Sequence, residues 1–397
     1  MFASFSGIPR RIWLLSLVNL VNRCGAMVIC FLTLYLTEKL HFTLTDAGIA
    51  MSFYGIGAIC GQYLGGYATD HLGYQRIQLL SLIGSGVLLL VLMQIKDYYA
   101  LCAVLFLYNV IGEAFRPANG IAVRMNSNEE NRTRSFSLMR VAFNLAIMFA
   151  LTIGGFLISF GWEFIFWADA LTCFASAALL YFAVPTLHAP DRSVAAKAAF
   201  KTERKTTKSA YTDRRMLLFT AMTFLNALVF MQIIWTLPAF FKYEYHWNEL
   251  TIGLVSALNG FVVMIVELPL VFRIEKTRPT LWLVRIGLWV YAISYAVFLL
   301  PHQFLWFSAI FYMVVISFGE ILVMPFSTTW VMRRSSDAKQ GQYMSLYGIA
   351  YSTANVFAPL LGTQIIVAFG YNALWVILVV LCMLSWVGFG YLARAEM

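Results

Sequence analysis

The sequence predicts an all-α integral membrane protein with twelve transmembrane helices in two pseudo-symmetric six-helix bundles. Of its 397 residues, 61% are hydrophobic and only 12% are charged, whereas soluble domains carry about 25% charged residues. Apolar runs of membrane-spanning length recur along the chain, and the second half repeats landmarks of the first. So large an excess of apolar side chains needs lipid as its solvent, which excludes a soluble multidomain protein.

A helix that crosses the hydrocarbon core of a bilayer needs about 20 apolar residues. By this criterion each half of the chain contains six spans, separated by charges or turn residues. The predicted spans are residues 12–37, 47–69, 77–95, 100–124, 136–160, 163–184, 216–241, 250–272, 281–300, 304–330, 343–369 and 373–393. They define two predicted domains, 1–184 and 216–397. We interpret residues 185–215 as a basic cytoplasmic linker, with a helix on the membrane surface as the alternative.

The basic residues are distributed unevenly over the predicted loops. With a cytoplasmic N-terminus, the even-numbered gaps and both tails hold about 22 of the 28 Lys and Arg residues, while the odd-numbered gaps hold Lys39, Lys96 and Lys242. Such a bias predicts that both termini are cytoplasmic, in the inner (plasma) membrane of the cell. Because the net charge of +9 lies mostly in these loops, it does not indicate nucleic-acid binding.

The two halves align at offsets of 205 to 208 residues. Glycines and a buried acid hold their spacing in both halves: Gly48 and Gly55 fall on Gly253 and Gly260, and Gly112-Glu113 falls on Gly319-Glu320. An even number of spans in each half makes this repeat parallel. The predicted symmetry axis therefore runs along the membrane normal, with a binding site between the halves near the midplane.

The loop after the second predicted span carries a recognisable motif. It reads Gly66-Tyr-Ala-Thr-Asp70-His-Leu-Gly73-Tyr-Gln-Arg76, which resembles the G-x-x-x-D-[RH]-x-G-[RK]-[RK] signature of the major facilitator superfamily. The resemblance implies the major facilitator fold, alternating access, and a gating role for these residues together with Arg140. Independently, Asp70 is expected to cap the helix that follows it and to attract Arg76 or Arg140.

Two further stretches resemble subgroups of that superfamily. Gly112-Glu113-Ala-Phe-Arg116-Pro and Phe136-Ser-Leu-Met-Arg140 resemble bacterial multidrug-resistance proton antiporters. Their usual Gly-Pro-x-x-Gly-Gly pattern is replaced here by Ala150-Leu-Thr-Ile-Gly154-Gly155, which has no proline. The resemblance implies proton-coupled efflux of amphipathic small molecules.

A weaker similarity links Asn19-Leu-Val-Asn22-Arg23 to the E-x-x-E-R-F start of proton-coupled peptide symporters. Both glutamates of that motif are asparagines here, so the similarity does not carry proton coupling. The alternatives are a proton-coupled importer of peptides, amino acids or another small nutrient, and an exporter of a metabolite or siderophore.

Several ionisable residues lie inside predicted spans, where a charge costs about 2.5–3.5 kcal/mol on insertion scales. Arg23 shares a helical face with Asn19 and Asn22, and Glu113 is one turn from Arg116. The family resemblance implies that the first, fourth, seventh and tenth spans line a cavity, so we expect Arg23, Glu113 and Arg116 to meet there. Diverting one cation would then change the proton affinity of the carboxylate. The alternatives are an interhelical hydrogen-bond cluster around Arg23 and a permanently ionised structural cluster around Glu113.

The second half supplies further candidates. Glu320 has no arginine at the position matching Arg116, so desolvation would favour its protonated form; it is a candidate proton carrier or a binder of cationic substrate. Glu267, which precedes Leu268-Pro269, is a candidate for coupling or for a helix break. The predicted proton-coupling residues are Glu113, Glu320 and Glu267. The predicted substrate cavity comprises Asn19, Asn22, Arg23, Arg116, Asn226, Gln232 and Trp235.

Other classes of protein are disfavoured. The sequence contains no nucleotide-binding G-x-x-x-x-G-K-[ST] loop, which argues against an ATP-driven pump. The five histidines lie in loops or near span ends, which disfavours an enzyme or a metal site. Asp169, in the sixth predicted span, is expected to have a structural role. The expected partners are a small-molecule substrate, protons and the lipid bilayer, without nucleic acid or cofactor, and the protein is expected to be a monomer.

Overall fold

The computed structural model describes residues 7–183, 209–301, 304–336 and 339–394. Most of the predicted linker, 184–208, lies outside these residues, as do His188 and His302. The described residues form helices and turns, without a strand.

Eight helices form the described part of the first half. Their bounds are α1 Arg10–Cys24, α2 Met27–Leu34, α3 Leu44–Leu72, α4 Tyr74–Gln94, α5 Tyr98–Glu113, α6 Phe115–Met125, α7 Arg132–Ile158 and α8 Glu163–Ala183. A π-helical turn, Tyr35–Lys39, extends α2.

Six helices form the described part of the second half, after a 3₁₀ turn at Ala210–Thr212. They are α9 Arg214–Trp235, α10 Leu237–Tyr243, α11 Glu249–Ile274, α12 Thr280–Ala296, α13 Leu305–Arg334 and α14 Gln340–Arg394. A second 3₁₀ turn, Val297–Leu299, extends α12.

Ten helical segments of the described chain are long and apolar enough to cross a membrane, judged by length and composition. Two features account for the difference from the twelve predicted spans. One of the ten, α14, consists of two arms that meet at Gly370, whose φ of 78° breaks the helical path. The second feature is that α3 is not among the ten segments. It has 29 residues but contains six glycines and the polar Gln62 and Asp70. All twelve predicted segments are therefore helical.

The described residues divide into two compact units. The N-unit comprises the described parts of Gly7–Thr212 and of Arg334–Ile349, and the C-unit those of Asp213–Arg333 and Ala350–Met397. The first turns of α14 consequently pack with the N-unit, although they follow the second half in sequence. The predicted division into domains 1–184 and 216–397 stays a prediction.

Glycines bring α3 against α5 in the N-unit. A Cβ atom built at Gly57 would lie 2.5 Å from the carbonyl oxygen of Phe106, and one at Gly61 would lie 2.5 Å from that of Val110. Small residues at intervals of four let two membrane helices approach backbone to backbone. This close approach places Gln62 beside the C-terminal end of α5.

The first span is broken, which corrects the prediction of one continuous helix over 12–37. The break falls at Gly25-Ala26, between α1 and α2. The fully buried side chain of Asp169 on α8 accepts hydrogen bonds from the backbone N–H groups of Met27 (3.2 Å) and Val28 (2.8 Å). These are the unpaired donors at the start of α2, so the structural role of Asp169 is that of a cap supplied by another helix.

Proline accounts for two other interruptions. Pro117 has no N–H to donate to the carbonyl of Glu113, and the helix is interrupted at Ala114, between α5 and α6. Pro238 lies in the first turn of α10, after the interruption at Thr236. The first of these breaks leaves Glu113 as the last residue of α5, with Arg116 at the start of the next helix.

Candidate functional site

Four polar side chains of the N-unit meet at the end of α5. Glu113 Oε2 accepts a hydrogen bond from Gln62 Nε2 at 2.7 Å and pairs with Arg116 Nε at 3.1 Å. Arg23 Nη2, at the end of α1, lies 4.0 Å from Glu113 Oε1. The expected meeting of Arg23, Glu113 and Arg116 thus occurs, and we call the set with Gln62 the Glu113 cluster.

The members of the Glu113 cluster differ in exposure. The side chain of Glu113 is 10% exposed, that of Arg23 is 22% exposed and that of Arg116 is 43% exposed. Gln62 is fully buried. Arg116 therefore has the most freedom to exchange its partner, whereas the carboxylate and its amide donor are fixed by packing.

A polar cavity of about 70 Å³ adjoins the Glu113 cluster inside the N-unit. Its walls come from α1, α3, α4, α5 and α8, and its polar lining includes Asn22, Arg23, Tyr54, Ser85, Asn109 and Glu113. A space of this size and polarity is suited to hold water. Glu113 therefore borders this polar cavity.

The two predicted asparagines of the first span have different surroundings. Asn19 Nδ2 donates to the carbonyl oxygen of Met139 at 3.2 Å, which ties α1 to α7. Asn22 lines the cavity, and its Oδ1 lies 3.8 Å from the Cys173 thiol sulfur, which donates to it. Asn19 is thus part of the helix packing, and Asn22 faces the chamber.

Asp70 caps a helix far away in the sequence rather than the one that follows it. Its carboxylate oxygens accept hydrogen bonds from the backbone N–H groups of Gly341 (2.6 Å) and Gln342 (3.2 Å), at the start of α14. The expected cap on α4 is therefore corrected to a cap on α14. Gly66 is required here because a Cβ atom would collide with the carbonyl oxygen of Gly341.

The remaining motif residues lie at the turn between α3 and α4 and on α7. Gly73 adopts a φ of 88°, in the region that favours glycine, and joins the two helices. Arg76 is exposed on the first turn of α4, and Arg140 is partly buried on α7. Asp70 and Gly73 thus shape one end of the N-unit.

Two buried glutamates lie within the described membrane spans of the C-unit. Glu320 on α13 is 5% exposed, and its Oε2 accepts a hydrogen bond from Asn259 Nδ2 at 3.2 Å. Asn259 lies on α11 and also donates to Ser317 Oγ at 2.9 Å. Glu267 on α11 is fully buried. In each unit, a buried glutamate thus accepts a hydrogen bond from an amide on the second predicted span of that half. The donor is Gln62 for Glu113 and Asn259 for Glu320.

Two of the three candidates of the seventh span, Gln232 and Trp235, connect α9 to α14. Gln232 is buried, and its Nε2 donates to the carbonyl oxygen of Ala358 at 3.1 Å. Trp235 is 44% exposed, and its indole N–H donates to Asn355 Oδ1 at 3.1 Å. Asn226 is buried, and its Oδ1 has no hydrogen-bond partner among the described residues.

Two amides at the buried acids, Gln62 and Asn259, did not emerge from sequence reasoning. The internal repeat does not relate these two amides to each other. At the offset of 205 that relates Gly48 to Gly253, Gln62 falls on Glu267 and Tyr54 falls on Asn259.

No group of three or more His, Cys, Asp or Glu side chains in the described part of the chain could hold a metal ion. The donors at both acids are amides and guanidinium groups, which favour carboxylates or small anions as partners.

Apolar helices in two units, with a buried carboxylate cluster beside a polar chamber, define a multi-pass membrane transporter. The sequence profile described as Major Facilitator Superfamily matches residues 15–352 and 222–396. The chain belongs to the major facilitator superfamily.

Relatives and a solved structure agree with this family. The chain is 23% identical to a Na(+), Li(+), K(+)/H(+) antiporter of Planococcus maritimus, covering 94% of this chain and 92% of the relative. It is 28% identical to a bicyclomycin resistance protein homolog of Haemophilus influenzae over 40% of this chain and 38% of the relative. A bacterial homologue of the iron transporter ferroportin, in an outward-facing state, has a TM-score of 0.78 at 16% identity, covering 97% and 100% of the two chains.

Proposed function

We propose that this transporter is a proton-coupled antiporter that exports amphipathic small molecules by alternating access. The observation that carries the proposal is the buried carboxylate of Glu113, held between Gln62 and Arg116 beside a polar chamber. A buried charge that loses its partner is costly, and protonation removes that cost. Glu113 can therefore couple the position of Arg116 to the uptake of a proton.

Arg116 is the movable element in this proposal. Its side chain is 43% exposed, four times as much as that of Glu113. An anionic group on the substrate, or a movement of α6, would draw the guanidinium away from the carboxylate. Arg23, 4.0 Å from Glu113, then remains as the second cation, so the ion pair is weakened in one state and restored in the other.

Glu320 and Glu267 are the proposed coupling acids of the C-unit. Both are buried in helices that belong to membrane spans, where an ionised carboxylate needs compensation. Asn259 donates its neutral side-chain amide to Glu320. A neutral donor can serve both protonation states of the acid, which suits a group that takes up and releases a proton.

The names of two relatives support this proposal. One is an antiporter that exchanges monovalent cations for protons, and the other is a homolog of a bicyclomycin resistance protein. The first relative also favours a second candidate function, the exchange of Na⁺, Li⁺ or K⁺ for protons. Both candidates use protons as the coupling ion.

The remaining expectations form part of the same proposal. We place the protein in the inner membrane as a monomer. The distribution of Lys and Arg over the loops supports placing both termini in the cytoplasm. The proposed substrate contacts are Asn22 and Arg116 in the N-unit and Asn226, Gln232 and Trp235 in the C-unit.

Transport into proteoliposomes with a trapped pH indicator tests the proposal. Addition of a lipophilic drug is expected to release protons from acid-loaded vesicles containing the wild-type protein. Glu113→Gln is expected to abolish this flux, whereas Glu163→Gln, at a half-exposed carboxylate paired with Lys39, is the matched control. Proton flux driven by Na⁺, Li⁺ or K⁺ and not by drugs would establish the second candidate. A substrate that enters together with protons would contradict antiport altogether.

A further inference from the structure

We infer that the C-unit binds the phosphate headgroup of an anionic phospholipid at Arg278, Trp282, Arg285 and Trp289. Trp282, Arg285 and Trp289 are three and four positions apart on α12, which places them on one helical face. Arg278 precedes the helix, and its guanidinium carbon lies 5.1 Å from the centroid of the Trp282 ring. We call these four residues the Arg–Trp face.

Arg285 is held by an aromatic ring. Its guanidinium carbon lies 4.2 Å from the centroid of the Trp386 ring on α14. Gly390, one turn beyond Trp386, leaves room for the Arg285 guanidinium, because a Cβ atom at position 390 would lie 3.2 Å from the guanidinium carbon. Trp289 packs edge-on against Trp386, with 6.0 Å between ring centroids. These contacts fix the arginine without neutralising it.

The arginines of this face have unused donors. Neither Arg278 nor Arg285 forms a salt bridge within the described residues. Arg285 Nε is buried and has no hydrogen-bond partner in the same part of the chain. A guanidinium group offers five N–H donors, and phosphate oxygens are the acceptors that match its planar geometry. The two guanidinium groups can therefore donate to the oxygens of a phosphate group.

The surroundings identify the anion as a lipid headgroup. Trp282, Trp289 and Ile293 continue the face and are 40%, 47% and 50% exposed, which in a membrane span is a surface for acyl chains. Arg285 lies five residues from the start of α12, about 7.5 Å along the axis. Tryptophan and arginine at this depth are typical of the headgroup boundary.

More positive charge lies at the same end of the C-unit. Arg394, the last described residue of α14, is exposed one turn beyond Gly390. Arg333 donates to Thr280 Oγ1 at 3.1 Å, at the first residue of α12. Clustered basic residues at the ends of membrane helices attract anionic lipids. The charge therefore favours phosphatidylglycerol or cardiolipin over a zwitterionic lipid.

Native mass spectrometry of the purified full-length protein tests the site. The protein in detergent is titrated with phosphatidylglycerol or phosphatidylethanolamine, and bound lipids are counted. We expect selective retention of phosphatidylglycerol, reduced at least tenfold by the double variant Arg278→Gln/Arg285→Gln. Arg214→Gln, which removes an exposed charge from the start of α9, is the matched control and should bind as the wild type does.

A second variant separates the built site from charge alone. Gly390→Leu keeps every arginine but fills the space beside the Arg285 guanidinium, so it should also lose the lipid. The rise in Tm on adding phosphatidylglycerol is measured for each variant, because a ligand that binds the folded state raises Tm. Undiminished retention in the double variant, or equal retention of phosphatidylethanolamine by the wild type, would overturn the inference.

Discussion

The side-chain amide of Gln62 donates a 2.7 Å hydrogen bond to Glu113 Oε2 and so joins α3 to the last residue of α5. The contact exists because Gly61, next to Gln62, lets the two backbones approach closely. The C-unit contains a similar pair, in which Asn259 donates to Glu320. An amide held against a buried acid is thus a repeated feature of the two units, and several predictions depend on it.

Replacing Gln62 by Met should damage both stability and coupling. The change keeps the volume but removes the donor, so a buried carboxylate oxygen loses a hydrogen bond at a cost of about 1–3 kcal/mol. We expect a lower Tm in detergent, measured by thermal unfolding, and reduced proton-coupled flux. Gln94→Met, at the exposed end of α4, is the control. An unchanged Tm and flux in Gln62→Met would show that the bond has no role.

Neutralising either buried acid should uncouple transport from protons. Glu113→Gln and Glu320→Gln preserve shape and remove the titratable group, so proton release on substrate addition should disappear in proteoliposomes. Substrate exchange without a pH gradient should persist, because it requires no net proton movement. Wild-type proton flux in both variants would remove the two acids from the coupling role.

The close approach of α3 to α5 predicts a sharp difference between glycines of one helix. Gly61→Val would place its Cβ atom 2.5 Å from the carbonyl oxygen of Val110. Forced separation of the helices should cost about 1–3 kcal/mol and displace Gln62 from Glu113. Gly48→Val is the control, since a Cβ atom there meets nothing within 4 Å. Equal Tm values for the two variants would contradict this account of the packing.

Asp169 should tolerate Asn better than Leu. Asn keeps one acceptor for the N–H groups of Met27 and Val28, whereas Leu leaves both without the carboxylate. Each unpaired buried donor costs about 1–3 kcal/mol, so Asp169→Leu should be the less stable variant in thermal unfolding. The two variants would behave alike if water satisfied the start of α2.

Asp70 is expected to act through the start of α14. Asp70→Ala removes both acceptors from Gly341 and Gln342, and loss of a helix cap costs about 0.5–2 kcal/mol. Asp70→Asn retains one acceptor and should keep more transport activity than Asp70→Ala. Hydrogen exchange at the N-terminal turns of α14 should rise in the Ala variant. Exchange that rises instead at the start of α4 would restore the original expectation of a local cap.

Sequence patterns located the buried acids and the two arginines beside Glu113, but not the amides that donate to the acids. Glu113 and Glu320 stood out because a carboxylate within an apolar run is rare and because both fall at one repeat offset. Gln62 was not singled out, since a single amide in a glycine-rich helix carries little signal by itself. Its importance follows from a neighbour 51 positions away, which local patterns do not specify.

The helix breaks also include some that the sequence indicates and one that depends on a distant residue. Pro117 and Pro238 are visible in the sequence, and helices are interrupted beside both. The break at Gly25-Ala26 has no proline. Its cause is the carboxylate of Asp169 on α8, which accepts a hydrogen bond from the backbone N–H of Met27, 142 positions away. Hydropathy alone predicted a continuous helix there.

The amino-acid sequence by itself determined the membrane class, the family and the approximate positions of the helical spans. Composition and hydropathy are local quantities, and the bilayer converts them directly into helices. Tertiary structure alone decided that Asp70 caps α14, that Asp169 caps α2 and that Gln62 holds Glu113. These are hydrogen bonds between distant residues, and their geometry depends on how closely packed helices approach one another.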